Sequence, residues 1–266
     1  MHPFDEAITF QHHDRAGCVG QFPASYANMI GPFGGIIAAV LVQSVLLHPD
    51  RQGDLAAVTV NFAAPIGPEP YRIERQNIRT NRSNQHWQVQ LHQQGHVCAS
   101  ATLLLTSPRQ TWGDTELRMP VVPAVEDVPV LKSGVGLGWM ERYQFRFIEG
   151  QFQPGSPEKH DALTRLWLRD QPPRPLDAVA LVAMSDIFFP RVFVRKQQMM
   201  PAGTVTMTTY IHASASEFQA SSDDFMMGEA RACRYQQSYF DQRAELWSRT
   251  GVLLATSSQM VYFKEV

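Results

Sequence analysis

The chain has 266 residues, 44% of them hydrophobic and 18% charged, with a formal net charge of −2 at pH 7. This is the composition of a folded globular protein with room for one large domain or two modest ones. The near-neutral charge argues against a nucleic-acid binder, which would present a basic face. Cys18, Cys98 and Cys233 are odd in number and form no CxxC pair, which argues against a disulfide framework and points to a reducing cytoplasm.

In chain order, Met1 to Arg15 is polar and His-rich, without the basic-then-apolar run of a secretory signal. A short strand is expected over Ala7–Gln11, then a loop through Pro23. The apolar stretch Met29–Leu47 is close to the length that spans a bilayer. Pro32, Gly34-Gly35, Gln43 and Ser44 interrupt it and no basic anchors flank it, so it reads as a buried helix and not a membrane span. The helix is expected over Phe33–Leu47, ending ahead of His48-Pro49 because proline disfavours helix in the residue before it. Strands follow at Ala56–Phe62, Tyr71–Arg79, His86–His92 and Val97–Thr106, with turns at Asn81–Asn84 and Gln93–Gly95.

Ser107 to Gly138 carries scattered prolines and then Gly134, Gly136 and Gly138, the composition of a linker. Beyond it the pattern returns. Tyr143–Ile148 and Leu163–Leu168 read as strands, and Leu176–Phe189 as an apolar helix between Pro175 and Pro190. Strands are expected again at Thr204–His212, Phe225–Gln236, Arg243–Trp247 and Leu253–Phe263. The chain thus divides into a first unit, 1–107, a linker, 108–138, and a second unit, 139–266.

One detail links the two units. Gly95-His-Val-Cys-Ala-Ser-Ala-Thr102 and Gly251-Val-Leu-Leu-Ala-Thr-Ser-Ser258 share a glycine, a three-residue spacer, an alanine and a hydroxyl residue. Each follows an alternating run, so each glycine is expected in the turn of a hairpin. The second copy carries Gln259 where the first carries Leu103. A helix apolar on most faces must be wrapped, which requires a strongly curled sheet. The expected class is therefore α+β: two curled antiparallel sheets, each wrapped around a long apolar helix, a double hotdog.

Several segments resemble the acyl-CoA thioesterase family typified by bacterial thioesterase II. They are Phe33-Gly34-Gly35 with Ala38-Ala39, Arg79 to Ser83, Ser185-Asp186-Ile-Phe-Phe189, Thr204 with His212, and Gly251 to Gln259. The chain departs from that family at Tyr210-Ile-His-Ala213, where an aromatic-histidine-arginine cluster is usual. The resemblance implies hydrolysis of acyl-CoA thioesters without a cofactor, with Asp186, Thr204 and Gln259 holding the attacking water.

On their own terms, these residues suit that work unequally. Asp186 lies in an apolar neighbourhood late in an expected helix, where desolvation and the helix dipole both favour a basic carboxylate. Gln259 shares a strand face with Val261 and Phe263, and an unpaired buried amide costs about 1–3 kcal/mol. Thr204 opens a threonine-rich strand, and Thr206 is expected on the same face as an alternative. Amides near Gly34 and Gly35 are candidate oxyanion donors, and Arg82, like Arg79 and Arg195, is a candidate contact for CoA phosphates.

Other motifs carry less. No Gly-x-Ser-x-Gly elbow occurs. The His12, His13, Asp14 and Cys18 group has no metal-ligand spacing, and Gly134-x-Gly-x-Gly138 is no dinucleotide loop because no strand precedes it. A hotdog enoyl-CoA hydratase would place a histidine five residues after the aspartate, where this chain has Arg191. A non-catalytic acyl-CoA-binding protein is the other alternative. Homo-oligomers through sheet edges are expected; acyl length, and CoA versus a carrier protein, stay open.

Overall fold

A computed structural model describes residues 1–131 and 136–265; part of the expected linker, including Gly134, lies outside the described residues. The chain opens with a helix and not the expected strand. Helix α1 (Pro3–Ala7) has His2 as its cap, accepting from the Phe4 N–H, with Pro3 at its start and Asp5 and Glu6 in its first turn. These are helix-start features, and they override the weak alternation of Ala7–Gln11. Short strands β1 (His12–His13) and β2 (Gly17–Gly20) follow, and then α2 (Gly34–Leu46). The first meander is β3 (Asp54–Phe62), β4 (Tyr71–Thr80), β5 (Asn84–Gln93) and β6 (His96–Thr106).

The second half contains β7 (Tyr143–Glu149), β8 (Thr164–Asp170), α3 (Ala178–Met184) and α4 (Arg191–Lys196). Next come β9 (Ala202–Ile211), α5 (Ala215–Ser221), β10 (Met226–Arg231) and β11 (Tyr235–Gln236). Strands β12 (Tyr239–Ser248) and β13 (Leu253–Phe263) close the chain. The long second helix expected over Leu176–Phe189 is corrected to seven residues. Asp177 caps its start by accepting from the Ala180 N–H, and Ser185 ends it. Pro190 bars helix from the residue before it and begins α4 instead. Helix α5, not foreseen, opens on a capping box between Ser214 and Glu217.

Every strand pairing is antiparallel, and the described strands form one sheet in the order β1-β2-β4-β5-β6-β3-β9-β13-β12-β10-β8-β7, with β11 beside β12. The two expected sheets are joined edge to edge at β3 and β9. Left apart, each would be an unpaired edge; together they satisfy both ladders. Thr59 faces Thr208 across this seam, with their hydroxyls 2.9 Å apart.

Gly35 and every residue from Ile36 to Val42 are buried, against β4, β5, β6 and α3. The two repeat glycines sit in turns. Gln94 and Gly95 both have positive φ between β5 and β6, as a two-residue hairpin requires, and Gly251 has φ 88° between β12 and β13. Residues 119–128 are not free of the second half: Val125 and Val128 are buried with Trp167, Phe225 and Trp247, and the Trp167 Nε1 donates to the Pro123 carbonyl.

The approach of α2 to α3 depends on Gly35. A methyl there would lie 2.3 Å from the Ala183 carbonyl oxygen. Gly35→Ala is expected to lower stability by about 1–3 kcal/mol, whereas Gly113→Ala, whose methyl meets nothing within 4 Å, leaves the urea midpoint unchanged. Equal midpoints for the two variants would contradict the close approach.

Candidate active site

Asp186 stands directly after the residue that ends α3 and faces the start of α2. Phe33, the residue ahead of α2, gives it no side-chain cap, so the Asp186 carboxylate takes that place, accepting from the Gly35 N–H. A Cβ on Gly34 would lie 2.5 Å from Asp186 Oδ2. The dipole effect is therefore opposite to the expectation: the positive end of α2, not the negative end of α3, meets the carboxylate and favours its charge. Burial outweighs this. Desolvation, opposed by hydrogen bonds from Gln259 and Gly35, pushes the Asp186 pKa up to about 7.

Gln259 lies in the middle of β13 and is 4% exposed. Its Nε2 donates to Asp186 Oδ1 at 3.0 Å and to the Ser185 carbonyl at 3.3 Å. Its Oε1 accepts from the Thr204 hydroxyl at 3.0 Å. The three residues come from three separate elements and interlock through the one amide.

Thr204 reaches this group because of a β-bulge. Met260 pairs with Thr206 and Val261 with Thr204, so Val205 is the extra residue. Without it, Thr204 and Thr206 would share a face. The bulge turns Thr204 to the side of Gln259 and Val261, and leaves Thr206 on the opposite side, beside exposed Met260. The expectation that the two threonines point the same way is corrected by that one residue.

Asp186, Thr204 and Gln259 line a cavity of about 120 Å³. Its walls are mainly apolar, with Phe33, Trp139, Phe152, Phe188, Phe193 and Met199 among them. Phe33 and Trp139 stack face to face at 4.5 Å and 7°, and Trp139 Nε1 donates to Asn28 Oδ1 at 3.3 Å. First-half residues Asn28, Met29 and Phe33 thus close a cavity whose polar groups otherwise come from the second half.

One cavity residue escaped the sequence reading. Gln242 on β12 is 2% exposed, lines the cavity and pairs directly with Gln259. Its Oε1 accepts from Arg191 Nε at 2.9 Å. Arg191 is fully buried, and its guanidinium also donates to Thr164 Oγ1 and to the carbonyls of Ala162 and Phe189. A signal existed. In the first half the matching pair is Trp87 and Leu103, so both members became glutamine in the second. The offset between the repeat glycines, 251 − 95 = 156, places Trp87 against Arg243, one residue off Gln242.

Other expected residues lie elsewhere. Gly35 gives its N–H to Asp186. Arg82 is exposed in the turn between β4 and β5, beside the Asp54–Thr106 end of β3. Thr204 lies past Asn61 at the other end, about 23 Å along the strand. Among the described residues no histidine lines the cavity, and Arg191, at the hydratase histidine's position, serves Gln242. Cys18 is buried beside Arg75, which donates to its sulfur, and burial pushes its thiol up to about 11; His12 instead pairs with Asp14. Among the described residues no cluster of His, Cys, Asp or Glu has the arrangement of a metal site, and no helix is long and apolar enough to cross a membrane.

Comparison with curated proteins gives no match. Among solved structures, a hotdog-fold protein of unknown function from Alicyclobacillus acidocaldarius is 42% identical, covering 100% of this chain and 99% of its own, with a TM-score of 0.95. The TesB protein of Mycobacterium avium subspecies paratuberculosis shares 18% identity over 98% of each chain, at a TM-score of 0.79. Acyl-CoA thioesterase II TesB2 of Mycobacterium marinum shares 16% over 99% of this chain and 98% of its own, at 0.78. These last two carry the likeness of fold alone. The family models decide the matter: residues 23–106 match the acyl-CoA thioesterase N-terminal domain and residues 118–263 the C-terminal domain. The chain belongs to the acyl-CoA thioesterase family.

Proposed function

We propose that the protein hydrolyses acyl-CoA thioesters by direct attack of a water held between Asp186, Thr204 and Gln259. The observation that carries this reading is the interlocked carboxylate, amide and hydroxyl opening into an apolar cavity. The water oxygen bonds to the thioester carbonyl carbon while one water proton passes to Asp186 and the carbonyl π pair moves to oxygen. Collapse of that oxyanion breaks the C–S bond. The CoA sulfur leaves with the proton from Asp186, giving a carboxylic acid and a thiol. Thr204 fixes the Gln259 amide, and Gln259 fixes the carboxylate. Gly34, at the start of α2, is the proposed backbone donor to the substrate carbonyl, and Arg82 is kept as a candidate contact for CoA phosphates.

The same reading takes 1–107 and 139–266 as two hotdog units joined by 108–138, each with its sheet curled about its helix, and α2 as the longer of the two. The separate N- and C-terminal family matches support it. Exposed Tyr239, Tyr262 and Met260 on neighbouring strands β12 and β13 support an assembly of several copies. The free cysteines fit a cytoplasmic setting.

Thiol release from a panel of acyl-CoAs tests the activity, and single turnover in labelled water tests the route. Label appears in the free acid alone; an acyl-enzyme trapped on the protein would overturn direct attack. Asp186→Asn is expected to lower kcat by at least about 10²-fold. Because the carboxylate must be ionised to accept a proton, kcat/KM of the wild type rises with pH through about 7, and the variant lacks that limb. The stability effect runs the other way. A carboxyl whose pKa is raised on folding stabilises the fold below its unfolded value and loses that contribution as pH rises through about 7. Asp186→Asn therefore melts higher than wild type at pH 8, by about 2–4 kcal/mol, with the gap closing near pH 4.

Gly34→Ala tests the contact between α2 and Asp186. Its methyl would press on the Asp186 carboxylate, with the Phe62 ring in ordinary contact, so turnover falls about tenfold or more through the displaced base and stability falls with it, by about 1–3 kcal/mol. A loss of stability without loss of turnover would contradict this.

A further inference from the structure

Activating water and stabilising an oxyanion need opposite groups. On the hydrolase reading above, the water needs acceptors, and Asp186, Gln259 Oε1 and Thr204 Oγ1 present them. The thioester oxygen needs donors as negative charge gathers on it. Those three side chains have none left. The Thr204 hydroxyl hydrogen is directed to Gln259 Oε1, and the Gln259 amide hydrogens go to Asp186 Oδ1 and the Ser185 carbonyl. The Gly35 N–H is engaged by Asp186.

Gln242 has the opposite arrangement. A guanidinium only donates, so Arg191 Nε at 2.9 Å fixes which end of the Gln242 amide is oxygen. The amide NH2 is left on the other side, and the hydrogen bond from Arg191 to Oε1 is the one bond that the Gln242 side chain makes among the described residues. Gln242 sits across from Gln259 on the same sheet face and lines the same cavity. The guanidinium that orients it is itself immobilised by Thr164 and the carbonyls of Ala162 and Phe189. The first half has Trp87 and Leu103 at the matching pair, so a closed apolar contact has become two amides of complementary use.

We propose that Gln242 is a catalytic residue whose Nε2 donates a hydrogen bond to the thioester carbonyl oxygen, with Arg191 as the positioning residue that aims it. No proton is transferred; the amide keeps both hydrogens as the oxyanion forms and collapses. The inference rests on the hydrolase reading.

Gln242→Met tests it, because the near-isosteric thioether fills the space without a donor and Arg191 Nε keeps the Phe189 carbonyl. The expected result is a 10²–10³-fold fall in kcat, with the Kd of a non-hydrolysable thioether analogue of acyl-CoA within twofold of wild type. Gln242→Glu retains the Arg191 partner but has no hydrogen to give when ionised, and falls as far on the high-pH plateau. A folded variant within threefold of wild-type kcat overturns the assignment, and so does analogue affinity lost in proportion to kcat, which marks uniform binding. Wild-type protein that releases no thiol from any acyl-CoA refutes the hydrolase reading instead. Should neither variant fold, the wild-type Gln242 side-chain ¹⁵N–¹H resonances are followed while a ketone analogue of acyl-CoA is added: a shift supports the contact and an unmoved pair overturns it.

Discussion

The molecule turns on one contact, the Asp186 carboxylate set against the start of α2. The helix comes from the first half and the carboxylate from the second. The helix end lacks a side-chain cap of its own, and the carboxylate is held away from bulk solvent, so each meets the other's need. Gly34 and Gly35 follow from it, one leaving room for the carboxylate and the other for the Ala183 carbonyl. So does the single sheet, because the β3–β9 seam holds the two halves in the register that this contact requires.

Around that contact the buried polar groups are arranged in series. Thr204 orients Gln259, Gln259 orients Asp186, and Arg191 orients Gln242. The Gln259 amide is held at both ends and the Gln242 amide at its oxygen, which removes the ambiguity of a group that is both donor and acceptor. A buried guanidinium pays a desolvation penalty, and burial pushes Arg191 down to about 9, still protonated at neutral pH. Its role is geometric, the five donors of a rigid fork reaching acceptors on β8, β12 and the loop ahead of α4.

Local features were legible in the sequence. The hairpin glycines, the bounds of α2 to within a residue and the whole of β13 depend on signals carried by neighbouring residues. Asp186 and Gln259 stood out as polar exceptions on apolar elements. What escaped depends on partners distant in sequence. The bulge at Val205 exists only against β13, and the β3–β9 seam joins strands more than 140 residues apart. Gln242 was hidden by a single-residue shift within its hairpin. The start of α1 is written in His2-Pro3 and the two acids behind it, capping signals stronger than the short alternation that follows.

The backbone of the second half repeats the first, yet the interiors differ. Two residues past the end of α3 stands Asp186; two residues past the end of α2 stands His48, buried with its ring 4.7 Å from Trp87. Trp87 and Leu103 are paired across β5 and β6 as Gln242 and Gln259 are across β12 and β13. The half that carries the indole lends Asn28, Met29 and Phe33 as one wall of the cavity in the other.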